Sequence, residues 1–365
     1  MLPASRTLNN VSRRTASIRS AVPRVVAIGG GTGLPNVLRG LRPLLYSADE
    51  RDRTPPRDRL VAVVTTSDDG GSSGRLRAEF NIVPPGDIRN CLAALSDNHA
   101  LIADIFQYRF DSGEGLNGHP IGNLVLAALA DVTNDFTRAV EIAARVVGAR
   151  GTVLPATRDM VTLLAEFEDG RIVSGETAIS KGGGRVRHLS LLPERPVCVP
   201  DSCEAVLKAD IVVAGPGSLY TSILPPLLVP ELRDALLHTS ATRILVANLM
   251  TEPGETDDYS VLDQVLAIER HLGAQLFDCI VYNTSPVPDT LRETYAAGGA
   301  EPVVTGTFEL AALQRLGIRP IGVPLVSEHP AGKIRHHPDR LAAAIIATAQ
   351  GKLGTWRGRV EAGGS

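Results

Sequence analysis

The segment Gly29-Gly30-Gly31-Thr32-Gly33 ends an apolar run and opens a helix-like stretch. Glycine lets backbone N–H groups turn toward an anion with no Cβ in the way. A helix N-terminus behind the turn adds a favourable partial charge, and Thr32 can donate its hydroxyl to a phosphate oxygen. The spacing is not the dinucleotide fingerprint, because Asn36 stands where its last glycine belongs. It is not a Walker loop either, since no Gly-Lys-Ser/Thr follows. Gly30, Gly31, Thr32 and Gly33 are therefore candidate phosphate-binding residues.

A second segment, Thr65-Thr66-Ser67-Asp68-Asp69-Gly70-Gly71-Ser72-Ser73-Gly74-Arg75, follows another apolar run. Two adjacent carboxylates at a strand end are costly unless they bind something. Asp68 or Asp69 can hold Mg²⁺, or accept hydrogen bonds from sugar or nucleoside hydroxyls. Gly70, Ser72 and Ser73 make a second anion-accepting loop, with Arg75 and Arg77 nearby. Pro84-Pro85-Gly86-Asp87-Ile88-Arg89-Asn90 is a stiff turn into a helix that Asp87 can cap, placing Arg89 and Asn90 in its first turn. Gly118-His119-Pro120-Ile121-Gly122-Asn123 has the same turn-then-helix form. His119, Asp68 and Asp69 are the candidate acid–base groups.

A third glycine loop, Gly215-Pro216-Gly217-Ser218, repeats the strand–loop–helix order and offers a second phosphate site. Asn248, the segment Thr251 to Thr256, and Asn283 extend the line of strand-end polar groups. A β-branched residue in place of Gly31 or Gly33 is expected to abolish ligand binding without unfolding the chain.

The elements that must position these groups read as α/β. Val25–Ile28, Leu60–Thr65, Ile211–Ala214, Ile244–Ala247 and Cys279–Tyr282 are short apolar runs, of the kind covered on both faces in parallel sheets. Helical spacing covers Leu34 to Leu41, Asp87 to Leu95, Pro120 to Ala130 and Asp135 to Val147. Residues 152–197 change character, with Asp169-Gly170 as the turn of a hairpin and a glycine-rich loop at 181–185. The expected fold is Rossmann-like: a mostly parallel sheet with helices on both faces and an inserted β-hairpin region at about 152–197. In such sheets ligands bind at the carboxyl ends of the strands, which is where the glycine loops fall.

Composition narrows the classes. The 365 residues carry a net charge of −3, which argues against nucleic acid as the main partner. No run of eighteen apolar residues offers a membrane span. The four cysteines form no Cys-x-x-Cys pair and read as small hydrophobes in a reducing cytoplasm. Residues 1–23 read as a basic disordered tail, or as a start assigned upstream of the natural one. Residues 24–350 read as one domain, and 351–365 as a flexible tail. Residues 47–59 read as an exposed charged loop. The 35 glycines divide between flexible segments and the strand-end loops.

The blocks GGGTGLPNVLRGL, TTSDDGGSSGRLR, PPGDIRNCLAALS, GHPIGNLVLAAL, GPGSLYTSILPPLLV, NLMTEPGET and GAEPV resemble the YvcK family of CofD-like proteins, also called gluconeogenesis factors. The resemblance covers about residues 24 to 350. It implies a Rossmann-like fold and cytoplasmic binding of a UDP-sugar such as UDP-N-acetylglucosamine. It also implies a role in cell-wall synthesis, cell shape and growth on gluconeogenic carbon sources. No cofactor is required under that reading, although magnesium is open to it. A protein partner of cell-wall control is implied but unnamed, and Rossmann-like proteins often pair as homodimers. By resemblance, Tyr295 and Arg335 are ligand contacts, joining the glycine loop and Asp68-Asp69. The CofD branch is an enzyme that transfers a phospholactyl group from a nucleotide-activated donor to a deazaflavin, and PPGDIRN and GPGSLYTSI depart from that branch. A transferase is the alternative, and an NAD-binding protein a third reading.

Overall fold

A computed structural model describes residues 22–46, 56–96, 101–329 and 332–349. Residues 1–21 of the basic tail, 47–55 of the charged loop, and the C-terminal tail lie outside the described residues. The described residues form twelve strands: β1 (Val25–Gly29), β2 (Leu60–Val64), β3 (Thr152–Pro155), β4 (Thr162–Phe167), β5 (Ile172–Ser174), β6 (Val186–Leu192), β7 (Ile211–Ala214), β8 (Thr242–Val246), β9 (Cys279–Asn283), β10 (Arg319–Val323), β11 (Val326–His329) and β12 (Lys333–His336). Seven of them form one parallel sheet in the order β10-β9-β8-β7-β1-β2-β3.

The centre of the sheet is buried on both faces because β1, β2 and β7 carry apolar residues or glycine at every position rather than at every second one. Val25, Ala27, Leu60, Ala62, Ile211 and Val213 feed one core. The intervening Val26, Ile28, Val61, Val63, Val212 and Ala214 feed the other. Each buried valine, leucine or isoleucine of this set contributes about 1.5–3 kcal/mol, and each alanine less. The first face is covered by helices α1 (Gly33–Leu45), α2 (Gly86–Leu95), Phe136–Val146 and Pro338–Ala349. The other carries Pro200–Lys208, Pro230–His238, Val261–Leu272 and the small sheet β5-β4-β6.

The inserted region differs from expectation at its start. Thr152–Pro155 is not part of it: β3 pairs in parallel with β2 and forms an edge of the main sheet. The insertion proper is a three-stranded antiparallel sheet, and the expected hairpin lies within it as β4 and β5. Gly170 turns that hairpin at φ +84°. The cysteines also depart from expectation. Cys198 and Cys203 pair as a disulfide, while Cys91 and Cys279 are free and buried.

Topology decides where a ligand can sit. From β1 the chain winds outward through β2 to β3, and from β7 it winds the opposite way through β8 and β9 to β10. The strand order therefore reverses between β1 and β7, and the crevice of an open α/β sheet lies at such a reversal. Both candidate phosphate loops leave these two strands.

Helix α1 is held against the C-terminal helix through Gly40. A Cβ there would lie 2.2 Å from the Pro338 carbonyl oxygen. Replacing an interior helix glycine with alanine ordinarily gains about 0.5–1 kcal/mol. Here the overpacking cost of about 1–3 kcal/mol outweighs that gain. Gly40→Ala is expected to lower the melting temperature, read by calorimetry. An unchanged or higher value would show that the helix pair can separate at no cost.

Candidate functional site

At the reversal point the carboxyl ends of the strands enclose a cavity of about 410 Å³. Its floor is Gly31, Thr32 and Gly33 on one side and Gly217 and Ser218 on the other. The segment Asn248–Glu252, after β8, forms one wall, and Tyr295 with Ile334–His336 forms another. Glu176, from the insertion, also lines it.

The two glycine loops touch. A Cβ on Gly33 would lie 2.0 Å from the Pro216 carbonyl oxygen, and one on Gly30 would lie 2.3 Å from the Thr65 methyl and 2.6 Å from Asp87. Gly31 is different: it takes φ +60° and has only the Ser222 hydroxyl, at 3.2 Å, near where a Cβ would go. Its N–H is not free for an anion, because it donates to Asp87 Oδ2 at 2.7 Å. Asp87 therefore does not cap its own helix, where Pro85 occupies the N-cap position without a side-chain bond. It reaches across to the loop instead. Burial pushes the Asp87 carboxyl up to about 6, with the Asp68 charge adding to the shift and the Gly31 bond opposing it. What the floor offers a ligand is the Thr32 hydroxyl, which makes no cap bond, and the start of α1.

The other loop is partly committed as well. Asn248 accepts from Gly217 N–H at 3.2 Å and donates to its carbonyl at 2.8 Å. Ser218 donates to Glu255 at 2.6 Å, so its hydroxyl hydrogen serves a carboxylate rather than a phosphate. Gly215 lies at φ +74° against Ile223 and shapes the turn without lining the cavity. Asn283 is absorbed by its own turn, accepting from Ser285 and from Leu325 N–H.

Asp68 and Asp69 diverge. Asp68 accepts from Gly70 N–H at 2.9 Å. Asp69 accepts from both the backbone N–H (2.9 Å) and the hydroxyl (2.7 Å) of Thr177, anchoring the one-turn helix Glu176–Ile179 of the insertion. Among the described residues no three His, Cys, Asp or Glu side chains gather to hold a metal ion.

Ser72, His119 and Asn123 come together, but behind the cavity rather than in it. The Ser72 hydroxyl lies 2.8 Å from His119 Nδ1 and accepts from the Asn123 amide at 3.0 Å. All three are 5% exposed or less, so the imidazole has little access to a ligand. Its pKa is lowered by burial and by Arg75 and Arg109. Ser73 is buried against Gly86, where a Cβ would lie 2.3 Å from its hydroxyl. Arg89 is buried too, donating to Asn90 at 2.6 Å while its Nε has no partner.

Tyr295 and Arg335 both line the cavity. The Tyr295 hydroxyl accepts from Ile334 N–H at 3.1 Å, fixing the ring against β12. Two residues missed in the sequence set this wall. The Asn36 amide donates to the His336 carbonyl, and His336 Nε2 lies 3.0 Å from the Ala247 carbonyl. Burial lowers the His336 pKa to about 4, so it stands neutral as a strut between β8 and β12.

The cavity's acids were also largely missed. Glu176 and Glu252 each have a buried carboxylate oxygen without a protein partner. Burial first, then the charges of Asp87, Asp68, Asp69 and Glu255, push Glu176 up to about 9. Burial and Glu255 push Glu252 up to about 7. No local pattern marks Glu176, since it opens a single helical turn in the insertion and reaches the cavity only through the tertiary fold.

Comparison with known proteins gives the family. The family described as "2-phospho-L-lactate transferase CofD" matches residues 25–326. The "Gluconeogenesis factor" of Bacillus subtilis is 42% identical over 324 residues, spanning 89% of this chain and 97% of that one. The "Gluconeogenesis factor" of Listeria monocytogenes is 40% identical over 325 residues, spanning 89% and 95%. A crystal structure of a Bacillus halodurans protein superposes with a TM-score of 0.82 at 42% identity, covering 89% of this chain and 99% of that one.

Proposed function

The chain belongs to the CofD family and to its gluconeogenesis factors, and from that premise we propose that it binds a UDP-sugar as a cytoplasmic regulator. The sugar is of the UDP-N-acetylglucosamine type. The regulated process is cell-wall synthesis, and with it cell shape and growth on gluconeogenic carbon. The observation that carries this reading is the cavity itself. It joins two glycine loops across the strand-order reversal and faces them with Tyr295 and Arg335. An arginine there offers a bidentate donor to a phosphate, and tyrosine an apolar face with a polar tip. The Ser72–His119 pair, the nearest thing to an activated nucleophile, is buried outside the cavity, which favours binding over turnover.

Magnesium fits this arrangement only as a shared ion. Asp68 would supply a carboxylate and the ligand's phosphates the remaining oxygens, because Asp69 is committed to Thr177. Among the described residues no helix is long and apolar enough to cross a membrane.

UDP-N-acetylglucosamine is expected to raise the melting temperature, by about 2.7 kcal/mol of added stability at a hundredfold excess over Kd, whereas NAD is not. If neither UDP-sugars nor UDP shift it at millimolar concentration, the reading fails. A second reading, a phospholactyl-type transferase, draws on the family match and the carboxylates beside the cavity. Product formed from an activated nucleotide donor with Mg²⁺ would establish it.

A further inference from the structure

A second cavity, of about 280 Å³, adjoins the first. The two share Thr32, Asn36 and Arg335. The second is lined by Arg39 from α1, His329 from β11, and Lys333 and Arg335 from β12, and no Asp or Glu lines it. Arg39, Lys333 and Arg335 form no ion pair among the described residues. Arg335 makes one long bond, 3.4 Å, to the Ile334 carbonyl.

Three uncompensated cations around one concavity repel one another and gain by taking up an anion. The neutral groups present are suited to one. Asn90 uses its carbonyl oxygen on Arg89, which leaves its amide N–H groups as donors. The first turn of α1 carries no acidic residue, and its positive end faces the same space.

We propose that this cavity is a binding site for a phosphoryl anion, held by Arg39, Lys333 and Arg335. The anion can be the diphosphate of a nucleotide reaching past Arg335, or the phosphate of a separate molecule. The inference does not depend on which nucleotide sugar occupies the larger cavity, or on whether one does.

The test is calorimetric titration and thermal melting of the full chain with inorganic phosphate and pyrophosphate, against chloride at matched ionic strength. The comparison protein is the double variant Arg39→Gln/Lys333→Gln, whose two changed side chains are exposed and should not disturb folding. Phosphate or pyrophosphate should stabilise the wild type beyond chloride, and the double variant should lose at least tenfold in affinity. A parallel arm with UDP-N-acetylglucosamine separates the sources. Tenfold weaker nucleotide binding in the variant assigns the anion to the nucleotide's own diphosphate. Unchanged nucleotide binding, with pyrophosphate still adding to it in the wild type, assigns a separate phosphorylated ligand. A phosphate response equal to that of chloride, or one that survives in the double variant, would overturn the proposal.

Discussion

Gly33→Val is expected to cost both ligand affinity and stability, whereas Gly31→Ala should cost mainly affinity. At Gly33 a Cβ would sit 2.0 Å from the Pro216 carbonyl oxygen and 2.6 Å from its carbon. Both contacts are backbone, so no side chain can swing aside. The two loops at the strand-order reversal must separate, and the cavity floor is made of those loops. Overpacking of this kind costs about 1–3 kcal/mol or more. In a chain of 365 residues that is a fall of roughly 1–2 °C in melting temperature for each kcal/mol. At Gly31 the space is open apart from the Ser222 hydroxyl, and the penalty is that of a left-handed backbone, about 1–2 kcal/mol. Relaxing that strain moves the N–H away from Asp87 and reshapes the floor. Calorimetry on both variants, with and without UDP-N-acetylglucosamine, reads the difference. From the sequence a β-branched residue at either glycine is expected to abolish binding without unfolding; the backbone contact at Gly33 adds a stability cost to that expectation. Equal melting temperatures for Gly33→Val and wild type would contradict the loop contact.

The second large effect concerns pH. Asp87, Glu252 and Glu176 have folded pKa values raised to about 6, 7 and 9. A raised carboxyl binds more protons in the folded than in the unfolded chain between the two pKa values. Stability therefore falls as pH rises through that window. Below about pH 6.5 the lowered values of His119, His271 and His336 act in the opposite sense and mask the trend. Between pH 7 and 8.5 Glu176 dominates. Each proton held only by the folded state gives a slope of about 1.4 kcal/mol per pH unit. The ligand-free chain should melt about 2–3 °C lower at pH 8.5 than at pH 7. Glu176→Gln, neutral at every pH, should flatten that slope and raise the melting temperature at pH 8.5. A slope unchanged in the variant would mean that the Glu176 carboxyl ionises freely in the fold.

The sheet was legible in the sequence because its centre is encoded locally. Four β-branched or apolar residues in a row, then glycines, then helical spacing, identify β1 with α1, and β7 with its loop. The hairpin at Asp169-Gly170 was legible for the same reason. What was not legible depends on partners distant in the chain. The four residues of β3 carry no signal separating an edge of the main sheet from the start of the insertion, and only pairing with β2 decides it. Asp87 looked like a helix cap because its acceptor role is written 56 residues away, at Gly31. Ser218 looked like a phosphate donor until Glu255, 37 residues on, took its hydroxyl. Ser72, His119 and Asn123 were each read as facing a ligand, and in the fold they satisfy one another. Small polar residues at strand and helix ends serve both purposes, and local spacing does not distinguish them.

The most direct measurement is a crystal structure of the full chain with UDP-N-acetylglucosamine. The diphosphate is expected between the Thr32–Gly33 turn and Arg335, with Tyr295 against the ligand and Ser72–His119 out of contact. Nucleotide density elsewhere would contradict the central claim, most tellingly in the separate cavity of about 650 Å³ beside β3, lined by Arg57, Arg138 and Asp201.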